Sequence, residues 1–310
     1  MRPGRDAVEE MKIDRTPVES AGLCVHDSAL TAWGVWILSN DLINSVRILN
    51  CPERRSFLKW GLLIHEELFP MLKALIFDVD GTLADTEMAH LAAFNHAFAE
   101  EGLDWRWDVP LYTRLLAVSG GKERIKAFWE TQAPDVRDIS GGGMQDTIDR
   151  LHEVKTAAYE QAVQDGLVQM RPGVLALLST ASAVGLQLAI ATTTSPVNIA
   201  ALLQRAIGAD WRSHFRVIED ASTAPRKKPD PMVYLQTLAR LGLPAHQCLA
   251  FEDSENGLRA AMATGLDAVI TPNDFTAEHD FSGALRILPN LQGVGVAQLR
   301  EWHSSIQVSA

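Results

Sequence analysis

Apolar positions along this chain gather into short runs that end in acids or hydroxyls, with helical patterns filling the spaces between them. Runs rich in strand-forming residues occur at Lys73–Asp78, Leu188–Thr192, Phe215–Ile218, Gln247–Phe251, Asp267–Thr271 and Leu285–Leu288. Near-continuous apolarity over so few residues suits a strand buried on both faces. The stretches Val174–Val184, Val197–Ala206, Met232–Leu241 and Ser254–Thr264 carry helical spacing. The alternation predicts an α/β fold, a parallel sheet with helices on both faces.

Two regions depart from that alternation. Residues 86–165 read almost entirely as helix and fall between the first and second strands, which predicts a small helical domain inserted into the core. Gly141-Gly142-Gly143 divides it into two parts. The expected layout is therefore core at 71–85, insertion at 86–165 and core again at 166–310, with a hinge near Ala84–Thr86 and Gly166–Gln169. Residues 1–70 mix Pro, charges and scattered Trp without periodicity, and we expect a poorly ordered extension there. Glu66-Glu67 must be encoded by a purine run, and Leu68, Phe69 and Pro70 separate it from Met71. That spacing resembles a bacterial ribosome-binding site, so Met71 is the expected start of translation. Asp6, Glu9, Glu10, Asp14 and Glu19 argue against a plastid transit peptide.

Composition mostly excludes. A formal charge of −11 disfavours nucleic acid as a partner, although one local cationic pocket can still take a phosphate. Cys24, Cys51 and Cys248 are widely spaced, without a C-x-x-C pair, which suits a reducing compartment. Ala29–Leu38 is far shorter than the roughly 20 residues of a membrane helix. The expectation is a cytoplasmic protein with no membrane association and no obligate protein partner evident.

The strongest chemical signal is Phe77-Asp78-Val79-Asp80-Gly81-Thr82-Leu83, an apolar strand ending in two acids and a turn glycine. Residues i and i+2 of an extended segment share a face, so both carboxylates can approach one substrate at the strand end, where open α/β sheets place ligands. A calcium loop of EF-hand type fails because Gly81 comes two positions too early and a strand precedes it. Three further elements end later strands. Thr192-Thr193-Thr194-Ser195 offers hydroxyls and N–H groups at a helix start. Lys228 can neutralise crowded anionic charge, and Glu252-Asp253 supplies hard oxygen ligands suited to Mg²⁺. Singly these read as helix caps, a loop lysine and first-turn acids. Together, in this order, they are specific.

The four elements resemble the haloacid-dehalogenase superfamily, and the likeness covers 71–290. The resemblance implies a Rossmann-like core with an all-helical cap inserted after the first strand. It implies that Asp78 is the nucleophile forming an aspartyl-phosphate, and that Asp80 protonates the leaving oxygen and then activates water. Thr192 bonds a phosphoryl oxygen and Lys228 steadies Asp78. Mg²⁺ sits between Asp78, the Asp80 carbonyl and Asp253, with Glu252 as a supporting group.

Asp104–Asp108, Ser119–Ile125, Arg171-Pro172-Gly173 and Ala191–Ser195 look like CbbY-type phosphatases, which act on xylulose 1,5-bisphosphate, an inhibitor of Rubisco made by misfire. That likeness implies substrate contacts from Glu87, Gly120, Gly121, Lys122, Glu123, Arg124, His152 and Lys155, and from Thr193, Thr194, Ser195 and Asn198. Lys122 and Arg124 offer the second anion site a bisphosphate needs. The nearest alternatives are a sugar or glycolate monophosphate phosphatase and a β-phosphoglucomutase-type mutase. One departure stands out: Glu219–Pro225 lacks the glycine expected before the lysine motif.

Overall fold

The computed structural model describes residues 72–132 and 143–307. The expected 1–70 extension, and Gly141 and Gly142 of the triple glycine, lie outside the described residues. All six sequence-read strands form, with ends displaced by one or two residues: β1 Ala74–Phe77, β4 Gln187–Ala191, β5 Val217–Glu219, β6 Cys248–Glu252, β7 Asp267–Ile270 and β8 Arg286–Ile287. They make one parallel sheet in the order β5-β4-β1-β6-β7-β8. Two short strands not foreseen, β2 Ala84–Asp85 and β3 Gln169–Met170, pair antiparallel beside it.

Period-two alternation divides the core by size. Leu75, Phe77, Leu188, Ile190, Leu249, Phe251 and Val269 face one helical layer. Ala74, Ile76, Ala189, Ala191, Ala250, Ala268 and Ile270 face the other. The first layer holds α5 Val174–Ala183, α6 Pro196–Ile207 and α9 Val296–Gln307; the second holds α7 Met232–Leu241 and α8 Glu255–Met262. Small residues on the second face let α7 and α8 lie close to the strands. Helix α9 was not anticipated, yet it buries Val296 and Leu299. Full burial of one such side chain is worth about 2 kcal/mol.

Among the described residues between β2 and β3 the elements are all helices: α1 Glu87–Glu100, α2 Val109–Leu115, α3 Gly121–Gln132 and α4 Met144–Gln164. Their own core is aromatic, with Phe94, Phe98, Trp105, Trp107, Tyr112, Phe128 and Trp129 packed around Ile125 and Leu151. The Asn95 side chain bonds both the N–H and the carbonyl of Trp107 at 2.8 Å, which sets the entry to α2. No helix among the described residues is long and apolar enough to cross a membrane.

Register places the site. Phe77 stands level with Ile190 on β4 and Phe251 on β6, so the three strands expire side by side. Asp78, Thr192, Glu252 and Asp253 therefore emerge at one sheet edge.

Candidate active site

Asp78 leaves β1 into a buried corner shared with two other acids. Each of Asp78, Glu252 and Asp253 offers a carboxylate oxygen within 4.8 Å of the others. Lys228 answers them, its Nζ lying 2.7 Å from Asp78 Oδ1, 2.5 Å from Glu252 Oε1 and 2.8 Å from the Ala191 carbonyl. Tyr234 donates its hydroxyl to the same Glu252 oxygen at 2.5 Å. Asn273 donates to Asp253 Oδ2 at 2.8 Å. Glycines make this packing possible. A Cβ on Gly81, which has φ +77°, would run into the Asp253 carboxylate, and one on Gly257 would overlap that of Glu252.

The charges do not balance. Three buried carboxylates face one ammonium. Burial, against the pull of Lys228, lifts Asp78 to about 7, and burial plus its acidic neighbours lifts Asp253 well above the carboxylate range. Lys228 is burdened by burial too, but its two carboxylate partners hold its pKa above the ordinary lysine value. Removing that ammonium would leave the corner without compensation, at a cost of roughly 3–5 kcal/mol. The surplus of hard oxygens, with Glu252 Oε2 buried and lacking a hydrogen bond, fits a divalent cation.

A second chain of contacts holds Asp80. Its Oδ1 lies 3.0 Å from His90 Nε2, and His90 Nδ1 lies 2.9 Å from Lys155 Nζ. An ammonium can only donate, so Nδ1 accepts and Nε2 carries the hydrogen toward Asp80. Tyr159 stacks on the imidazole at 4.1 Å and fixes the ring plane. Burial and the Lys155 charge keep His90 below its usual pKa, hence neutral, and burial brings Lys155 down to about 8. Burial opposes charge on Asp80 as well, but His90, by its charge when protonated and by its hydrogen bond, and then Lys155 outweigh it and hold that carboxyl low. A neutral His90 leaves only the hydrogen bond and Lys155 to hold Asp80 down. With the ring neutral, the working cation is Lys155, acting through the histidine.

At β4, Thr192 leaves the sheet with its N–H bonded to the Glu219 carbonyl at 3.1 Å. Ser195 caps α6 by accepting from Asn198 N at 3.3 Å, and the Asn198 amide donates to Thr194 Oγ1 at 3.2 Å. The result is a rim of hydroxyls at a helix N-terminus beside Asp78. The loop without its glycine turns by other means. Asp220 accepts Ser222 N on Oδ1, and its carbonyl accepts Thr223 N and Ala224 N. That Asx-type turn delivers the chain to Lys228.

Above the corner lies a cavity of about 700 Å³. Every residue expected at the site lines it except Glu252, which is fully buried behind Lys228. Glu87, Gly120–Arg124, His152 and Lys155 line it from the helical side. These residues are tied among themselves. Lys122 pairs with Asp149 at 2.6 Å, each about half exposed. Arg124 is buried and donates to the Leu115 and Val118 carbonyls and to Tyr112 Oη, which leaves two of its five N–H groups without a partner among the described residues. Tyr112 in turn donates to Glu87 Oε2 at 2.7 Å. A Cβ on Gly121 would press against the His152 ring, and burial keeps that imidazole neutral, its pKa down at about 3.

Sequence reasoning missed His90, Tyr112, Tyr234 and Asn273. For His90 a signal existed: Glu87, His90, Leu91 and Phe94 recur at helical spacing, so they share one face of α1. For Tyr234 none did, because it lies on α7 and its partner Glu252 on β6.

Comparison with known proteins agrees with this geometry. The model of the haloacid dehalogenase-like hydrolases matches residues 72–265. CbbY of Cupriavidus necator is 51% identical over 77% of this chain and 100% of its own length. CbbY of Rhodobacter capsulatus is 45% identical over 74% of this chain and 98% of its own. The crystal structure of a CbbY variant from Rhodobacter sphaeroides in complex with xylulose 1,5-bisphosphate superimposes with a TM-score of 0.69 at 39% identity, covering 74% of this chain and 99% of that one. A β-phosphoglucomutase from Clostridium difficile, at 19% identity and a TM-score of 0.63, shares the fold. By its six-stranded parallel core, its helical cap and these relatives, the chain belongs to the haloacid dehalogenase-like hydrolases, among their phosphatases of CbbY type.

Proposed function

We propose that the protein is a Mg²⁺-dependent sugar-bisphosphate phosphatase acting through Asp78, with xylulose 1,5-bisphosphate its preferred substrate. The observation that carries this reading is the single cavity joining the Asp78–Lys228 corner to the cap residues Gly120–Arg124. Such a space has an anion site at each end. The bisphosphate bound by the Rhodobacter sphaeroides relative supports the same choice.

The chemistry follows from the residues present. An Asp78 oxygen attacks phosphorus, the bond to the sugar oxygen breaks, and Asp80 supplies the proton that oxygen needs. Asp80 then takes a proton from water, whose oxygen attacks phosphorus and releases Asp78. A phosphate dianion beside Asp80 raises its proton affinity, the direction the first step requires. Lys228 holds the nucleophile in place at 2.7 Å, and His90 orients Asp80. Asp78, Asp253 and the Asp80 carbonyl would hold Mg²⁺, which when bound offsets charge on the phosphoryl oxygens. The paired β2–β3 crossing is the hinge of the cap. The free thiol of buried Cys248 supports a reducing, cytoplasmic setting.

A panel of sugar mono- and bisphosphates, assayed for phosphate release with Mg²⁺ and with chelator, tests this reading. Release should be fastest from xylulose 1,5-bisphosphate and should stop with chelator. Isomerised sugar phosphate without net release would establish a mutase instead.

A further inference from the structure

The core touches the cap at a point remote in sequence from both hinge strands. Asn256 lies in the first turn of α8, three residues past Asp253, and is half-buried. Its side-chain amide donates to the Ala117 carbonyl at 3.0 Å and to Ser119 Oγ at 3.2 Å. Ala117 and Ser119 belong to the cap turn after α2 and immediately precede Gly120–Arg124. One amide on the core thus holds the base of the cap loop that lines the cavity.

A second contact lies alongside. Phe275, in the loop after β7, meets Tyr112 of the cap edge-on, with ring centroids 5.9 Å apart. That loop is fastened to the acid corner: Asn273 accepts Phe275 N at 2.9 Å and donates to Asp253 Oδ2 at 2.8 Å. Tyr112 carries the link onward to Glu87 and Arg124. Both contacts start near Asp253; the first reaches Ser119, which lines the cavity, and the second reaches the lining residues Glu87 and Arg124 through buried Tyr112.

We propose that Asn256 is a positioning residue that docks the cap loop Gly120–Arg124 onto the core in the closed enzyme, with Phe275 as its apolar companion. It lines the cavity, and its amide bonds the cap loop rather than Asp78. It sets how far the cap loop stands from Asp78, and so which substrates span the cavity. This rests on the phosphatase reading above only for its kinetic readout.

The test compares wild type with Asn256→Ala and Asn256→Asp. The second keeps the shape but removes the donor and sets a carboxylate against the Ala117 carbonyl. Each hydrogen bond lost is worth roughly fivefold in binding. For the best substrate of the sugar-phosphate panel, KM should rise about five- to twenty-fold in both variants, with kcat within about twofold. For p-nitrophenyl phosphate, which does not reach the cap loop, kcat/KM should stay within about twofold. Amide hydrogen exchange should accelerate at 117–121 and stay unchanged in β1. Equal losses on both substrates, unchanged KM for the sugar phosphate, or unchanged exchange at 117–121 in a folded variant would each overturn the docking role. Should the wild-type enzyme release no phosphate from any substrate, the phosphatase reading falls while hydrogen exchange still decides the role of Asn256.

Discussion

Core and cap solve different problems with the same kinds of charged side chain. In the core, Asp78, Lys228, Glu252 and Asp253 are all buried, each emerges from a strand end or a tight turn, and Lys228 touches two of the acids directly. Their positions follow from sheet register and leave little to rotamer choice. In the cap, Lys122 is about half exposed and pairs with Asp149 across two helices, a contact that a ligand can displace at small cost. The attack proposed for Asp78 is placed among side chains that are buried and bonded to one another. The recognition proposed for the cap is placed where side chains can change partners.

The contrast can be broken most severely at Asp78. Replacing it with Asn should reduce turnover of every substrate by about 10⁴-fold or more, measured as phosphate release, because the attacking oxygen is gone. Retained activity would remove Asp78 from the mechanism.

Lys155 cuts across the contrast, since it comes from α4 of the cap but serves Asp80 through His90. Its pKa of about 8 means that its charge is present below that pH and lost above it. The rate should therefore fall as pH rises through about 8. Lys155→Met should erase that alkaline limb and lower kcat by about 10²-fold, the usual scale of a disturbed acid–base group. A wild-type profile flat to pH 10 would detach Lys155 from Asp80.

Lys122 gives the smallest and most selective effect. Lys122→Ala should lower kcat/KM for the bisphosphate by about tenfold, the scale of one charge-assisted contact, and leave p-nitrophenyl phosphate unaffected. Equal losses would place Lys122 outside the second anion site.

How much of this could be read in advance depended on the range of the signal. The buried strands announced themselves through local apolarity, and the glycine after Asp80 marked its turn. β2 and β3 are two residues each, too short for any period, and exist only because the chain crosses to the cap twice at one place. α9 carried Val296, Leu299 and His303 at helical spacing but followed a Gly- and Pro-rich stretch that masked its start. The acids of the site sit in one motif each and were legible. Lys228 was legible too, but the Lys228–Glu252, His90–Lys155 and Asn256–Ser119 contacts were not, because only the fold brings those residues near one another.

The β2–β3 pair has a consequence for the history of the molecule. Ala84 and Met170 are partners, as are Asp85 and Gln169, so the chain leaves the core and returns through neighbouring residues. In topological terms the whole cap is one enlarged turn. Lengthening, shortening or exchanging it leaves the sheet order and the Asp78 corner untouched. New substrates can therefore be explored by grafting caps at these two rungs, provided each graft keeps a His90 and a Lys155 beside Asp80.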